Sequence, residues 1–221
     1  MRFLSTKYIM SYLIWSPGRC GSVLASTIIQ IAHNKQNHTH LEISMNRHHR
    51  DILENSGIVH SHNPECFINN FKNHQSIVVR RNTFDSVLSR MISEITNSWT
   101  IRNEFDLRKY QYSNKDRTFE LNVNEFRKIV LLNELDYSNV LKSSTPDLVI
   151  DYEDFKDNFQ NLLTPLNLML EMTPDLLSRL PKKTPVDKKT QIINYKQLRE
   201  VYDLLVAKNF ILTKYFYEKM E

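Results

Sequence analysis

The pattern of apolar and polar positions divides the chain into alternating elements. Tyr8 to Trp15 (YIMSYLIW) is aromatic and apolar and runs into Ser-Pro-Gly, which predicts a strand entering a tight loop. Ser22 to His33 (SVLASTIIQIAH) then carries apolar residues at helical spacing, with Ser22 as the expected N-cap. Short apolar runs predict three more strands, at Gly57 to Ser61 (GIVHS), Ser76 to Arg80 (SIVVR) and Asp147 to Asp151 (DLVID). Helical patterns cover Pro64 to Phe71, Thr83 to Ile95 and Glu120 to Leu141. This alternation predicts an α/β fold of three layers, a central and mostly parallel sheet with helices on both faces. Residues 95–118 break the pattern. From Thr96 to Thr118 the chain is polar and mixes Trp99, Tyr110 and Tyr112 with Arg102, Arg108, Lys109 and Arg117, as expected of an insertion or flap. After Phe155 the pattern is helical, with a lysine-rich loop at Leu180 to Lys189 (LPKKTPVDKK). Neither a repeat nor a low-complexity linker marks a boundary, so residues 1–221 are expected to form one domain.

Composition narrows the classes. Hydrophobic residues make up 41% of the 221, enough for a sizeable core, and charged residues 24%. The net charge of +4 is mildly basic and suits an anionic ligand, a nucleic acid or an acidic acceptor without choosing among them. In the 96–118 stretch, Glu104, Asp106 and Asp116 dilute the basic residues, which argues against a stripe that tracks nucleic-acid phosphates. The two cysteines, Cys20 and Cys66, cannot build a disulfide framework and lie in no zinc spacing. The apolar start is interrupted by Lys7 and Ser11 and is too short to span a membrane. The expectation is a cytoplasmic protein with no membrane span.

Of the chain's three glycines, Gly18 and Gly21 lie within SPGRCGS, Ser16 to Ser22, with Arg19 between them. A strand–loop–helix unit points backbone N–H groups and the positive end of the helix dipole at an anion, and Arg19 adds a charge-assisted fork. A Walker loop needs a lysine after its second glycine and four residues between the glycines. This loop has neither, which disfavours an ATP or GTP hydrolase or a nucleotide kinase. A second candidate site follows the strand SIVV at Arg80 to Arg90 (RRNTFDSVLSR). Ser89 falls about two turns into the next helix, where its hydroxyl could reach an anion held by Arg81, and Asn82 or Thr83 could cap that helix.

Together these two sites resemble the sulfotransferase family that uses 3′-phosphoadenosine 5′-phosphosulfate (PAPS). The family's 5′-phosphosulfate loop, P-[KR]-[SC]-G-[ST], is matched by Pro17, Arg19, Cys20, Gly21 and Ser22, with Gly18 inserted. Its 3′-phosphate site, R-[ND]-x-x-D-x-x-x-S, is matched by Arg81, Asn82, Asp85 and Ser89. Its K-T-H-L-P segment reads His60, Ser61, His62, Asn63, Pro64 here, and its Y-E-D-[LF] segment reads Tyr152 to Phe155. No R-K-G-x-x-G loop occurs near the C-terminus; Lys182, Lys183, Lys188 and Lys189 are the local substitutes. The resemblance implies a P-loop-like sulfotransferase architecture and sulfuryl transfer from PAPS to an acceptor hydroxyl or amine, without a metal. It implies that Arg19 stabilises the leaving phosphate, that Cys20, Gly21 and Ser22 hold the 5′ end, and that Arg81 and Ser89 hold the 3′-phosphate. His62 is the first choice for the base, with Glu42 in HLEIS (His40 to Ser44) as its rival from the glutamate-using branch. Residues 95–118 would serve as an acceptor flap. The acceptor could be a small molecule, a carbohydrate or a peptide, and the alternative is a non-catalytic nucleotide-binding protein of the same fold.

Overall fold

The computed structural model describes residues 11–33, 38–41, 47–55, 57–99, 101, 104–171, 173, 176, 180–181 and 187–210. Five strands pair throughout in parallel: β1 (Tyr12–Trp15), β2 (His38–Leu41), β3 (Ile58–Ser61), β4 (Gln75–Arg80) and β5 (Leu148–Asp151). Their order across the sheet is β2-β3-β1-β4-β5. The central strand β1 is buried at all four positions, which explains why its sequence shows no alternation: helices cover both faces of a parallel sheet.

Tyr12 and Ile14 face one way, packing with Ile58, Ile77 and Val79 against α1 (Ser22–Ala32) and the short helix Gln160–Leu163. Leu13 and Trp15 face the other way, packing with Val59 and Val78. There they meet α2 (Arg47–Glu54), α3 (Pro64–Asn70) and the long helix Val123–Ser143. The layers are therefore helix, sheet, helix, as the alternation predicted. A third cluster joins α4 (Thr83–Thr96) to the long helix and to Tyr195–Ala207 around Phe84, Phe126 and Tyr202.

Several expectations shift in detail. Strand β2 (HTHL) was not expected, because it has no apolar run; it lies at the sheet edge and pairs only with β3. The 95–118 stretch, expected as an insertion or flap, holds α5 (Glu104–Asn114). Phe105 and Tyr112 are exposed on α5, so its apolar residues do not line up on one face. Gln191 ties this region down, donating from Nε2 to the carbonyls of Asn114 and Arg117 at 3.3 Å each. The long helix, α6, starts at Val123 and not at Glu120, because the Asn122 side chain accepts from the Glu125 amide at 2.9 Å and caps it there. Beyond β5 come α7 (Tyr152–Phe155), α8 (Gln160–Leu163), α9 (Lys188–Gln191) and α10 (Tyr195–Ala207). Among the described residues no helix is long and apolar enough to cross a membrane.

Candidate functional site

The strand order sets the place. The connection from β1 leads towards β2 on one side, and that from β4 leads to β5 on the other. The carboxyl ends of β1 and β4 therefore flank a topological switch point, where open α/β sheets form a crevice.

The loop after β1 fills this crevice. Ser16 still follows β3, its amide donating to the Ser61 carbonyl at 3.2 Å. Arg19 and Gly21 then take left-handed conformations, φ 67° and 96°. An arginine there is strained by roughly 1–2 kcal/mol, so its surroundings must hold it. They do: the Arg81 guanidinium donates to the Arg19 carbonyl at 2.9 Å, and the Arg19 guanidinium donates to the Trp99 carbonyl. At Gly21 a side chain has no room, since a Cβ would lie 2.4 Å from Cδ2 of Tyr152. At Gly18 a Cβ would meet nothing within 4 Å. Gly21, not Ser22, is the N-cap of α1; Ser22 is already helical and is buried. A left-handed cap needs glycine, which is why the serine does not take that position. Cys20 turns its thiol inward beside Tyr137 and Ser86, and burial pushes that thiol up, away from reactivity.

Arg81 follows β4 directly. Its guanidinium lies over the Tyr152 ring, 4.6 Å from the centroid, and its Nε is 3.8 Å from Glu153 Oε1. Burial raises the Glu153 carboxyl despite that neighbour. Burial and the adjacent Arg81 both push Arg19 down, so two guanidiniums are held close together at partial cost in solvation. Asn82 caps α4, accepting from the Asp85 amide at 3.3 Å, and the helix carries Ser89 to the crevice. Of the four lysines offered as substitutes, Lys188 is engaged by Asp85, at 2.9 Å from its carboxylate and 2.8 Å from its carbonyl. Lys182 and Lys183 lie outside the described residues.

His62 stands just beyond β3. Its Nδ1 donates to the Ser16 carbonyl at 2.8 Å, so in the neutral ring the lone pair is on Nε2. Asn63 caps α3 and Pro64 opens it, which fixes the turn that carries the imidazole. His60, in the motif's lysine position, is buried, with its ring centroid 6.0 Å from that of His62.

These elements enclose an open cleft of about 1180 Å³. Arg19, Gly21, Ser22, His62, Arg81 and Ser89 all line it. Cys20 does not, and Glu42 lies outside the described residues. The lining carries both signs of charge, Arg19, Arg81 and Lys188 against Asp85, Glu153 and Asp136. Trp99, from the stretch expected as a flap, also lines the cleft, as do Asn133 and Asp136 of α6, for which the sequence carried no expectation. One signal was present for Asn133: it interrupts the stripe Phe126, Ile129, Val130, Tyr137 that buries α6. Among the described residues no cluster of three or more His, Cys, Asp or Glu side chains could hold a metal ion.

No family model matches the chain, and no curated protein matches it significantly. Among solved structures the chain is similar to a sulfotransferase from Alicyclobacillus acidocaldarius, at 10% identity and a TM-score of 0.43, over 76% of this chain and 87% of that one.

Proposed function

We propose that the cleft binds PAPS and that the protein transfers its sulfuryl group to an acceptor hydroxyl. The observation that carries this reading is the convergence of Arg19, Arg81, Ser89 and His62 on one cleft at the sheet's switch point. Two partly buried guanidiniums lining one cleft favour an anion, which relieves their repulsion and replaces their lost hydration. A donor with a 5′-phosphosulfate and a 3′-phosphate offers one anion to each of the two strand ends.

In this reading the first-turn amides of α1 and the Arg19 guanidinium receive the 5′ end, and Arg81 and Ser89 the 3′-phosphate. The acceptor oxygen attacks sulfur as the bond from sulfur to the phosphate oxygen breaks. The hydroxyl proton passes to Nε2 of His62, and 3′-phosphoadenosine 5′-phosphate leaves with the bonding pair. Arg19 offsets the charge that grows on that leaving phosphate. The bond from Nδ1 to the Ser16 carbonyl keeps the imidazole in the tautomer that can accept the proton.

The test begins with thermal unfolding in 3′-phosphoadenosine 5′-phosphate. At a hundred times its dissociation constant this nucleotide should add about 2.7 kcal/mol of stability, and ATP, without a 3′-phosphate, should add less. An equal or larger shift with ATP would count against the assignment. Turnover of labelled PAPS with a panel of acceptors follows. His62→Ala should lower it by about 10²–10⁴ without changing nucleotide affinity. Near-normal turnover in His62→Ala, with collapse in Glu42→Gln, would move the base to Glu42.

A further inference from the structure

We propose that Asn133 and Asp136 of α6, together with Trp99, form an acceptor subsite for a neutral polyhydroxylated molecule, a saccharide. The proposal rests on the reading of the same cleft as a sulfuryl-transfer site. Asn133 is 4% exposed, lines the cleft, and its Nδ2 makes no hydrogen bond. A buried carboxamide left in this state is costly, so its place is best explained by a ligand oxygen that it meets. Its neighbours fix where it stands. Glu134 accepts from the Thr83 hydroxyl at the start of α4, and the Tyr137 hydroxyl donates to the Val79 carbonyl near the end of β4 at 3.2 Å. This turn of α6 is therefore held beside the strand end that carries Arg81.

Asp136 follows Asn133 by three residues, on the same helix face, and also lines the cleft. The pair offers one donor and one acceptor about one turn apart. Trp99 adds an apolar ring. Its carbonyl is held by the Arg19 guanidinium, so its backbone is tied to the anion loop, and the residue, 46% exposed, lines the cleft.

These groups select among acceptor chemistries. An ammonium has no lone pair to accept from Asn133. A simple phenol has one oxygen, and that oxygen is the one His62 must reach. A saccharide carries several hydroxyls, each both donor and acceptor, so one can approach His62 while its neighbours serve Asn133 and Asp136. Its C–H faces are apolar and fit against an indole ring.

The experiment measures binding, so that it does not depend on turnover. The full chain, with and without 3′-phosphoadenosine 5′-phosphate, is titrated calorimetrically with a panel of neutral disaccharides, with 4-methylphenol and with a primary alkylamine. Trp15 is wholly buried and the chain's other tryptophan is Trp99, so saccharide binding should also change the intrinsic fluorescence. The expected result is binding of at least one disaccharide. It should weaken about tenfold in Asn133→Leu and in Asp136→Asn, with nucleotide affinity unchanged in both. Binding of the phenol or the amine with every disaccharide silent overturns the proposal. So does a disaccharide that binds both variants as well as the parent, or no binding of any disaccharide. Nucleotide binding is read in the same titrations. Its absence would sink the sulfuryl-transfer reading and leave a saccharide result standing, while nucleotide binding without saccharide binding would sink only the subsite.

Discussion

Gly18 and Gly21 look equivalent in SPGRCGS, yet their surroundings make opposite demands. Gly21 has a positive φ and the Tyr152 ring packed where a Cβ would go, whereas Gly18 has open space. Gly21→Ala should therefore lose stability by more than about 1 kcal/mol, and Gly18→Ala should stay within about 0.5 kcal/mol of the parent. Chemical denaturation of the two variants checks this, and equal midpoints would mean that Tyr152 does not pack on the loop. Asp136 has a different signature. Burial raises its carboxyl above the ordinary 3.8, so ionisation opposes folding. The folded chain holds that proton to higher pH than the unfolded chain does. The cost is thus fully present above the folded value and fades as pH falls through it towards 3.8. Asp136→Asn cannot ionise. It should melt above the parent at about pH 7, and the gap should close as the pH is taken down to the ordinary carboxylate range. A gap that widens on acidification would contradict the burial.

Among the elements, the segment between β4 and α4 joins the parts of the site. Arg81 donates to the loop after β1, stacks on Tyr152 of α7 and faces Glu153. An arginine can do this because its guanidinium is flat and presents several donors, and a lysine cannot. Arg81→Ala should weaken binding of 3′-phosphoadenosine 5′-phosphate by about 1.5–3 kcal/mol. Because Arg81 also ties three elements together, the melting temperature of the nucleotide-free protein should fall as well. Arg81→Lys should restore part of the affinity but not the melting temperature. Calorimetric binding and melting of both variants separate the two effects, and unchanged affinity in Arg81→Ala would remove it from the anion site.

At the scale of the molecule, three apolar clusters share one sheet or its flanking helices. The clusters around Tyr12 and Leu13 lie on opposite faces of β1, and α6 contributes both to the Leu13 cluster and to the one around Phe84. No cluster can come apart without exposing a surface that another one buries. The chain should then unfold in a single transition, with circular dichroism in the far and near ultraviolet giving the same midpoint. Two separated midpoints would show that the region around α4, α5 and α10 is a unit of its own. Hydrogen exchange should be slowest in the amides of β3, β1 and β4, which are paired on both sides within the sheet.

What the sequence determined by itself was the local chemistry. Apolar runs too short for helices marked β1, β3, β4 and β5; in β1, β3 and β4 this is because parallel strands buried on both faces need no polar positions. Arg19, His62 and Arg81 were legible because each lies within a few residues of a strand end, where chain direction alone delivers it to one edge of the sheet, and Ser22 and Ser89 because they lie in the helices that start from those same ends. Tertiary structure decided what depends on long-range contact. Strand β2 exists through its pairing with β3 and carries no apolar signal of its own. Cys20 leaves the cleft because Tyr137, over a hundred residues away, offers its thiol an interior place. Gly21 and Gly18 differ only because Tyr152 packs on one of them. Asn133 reads as a flaw in an apolar stripe until α6 is laid beside the end of β4, where the same residue lines the cleft. Spacing along the chain sets which residues share an edge or a face, whereas the meeting of two faces is settled only when the layers pack.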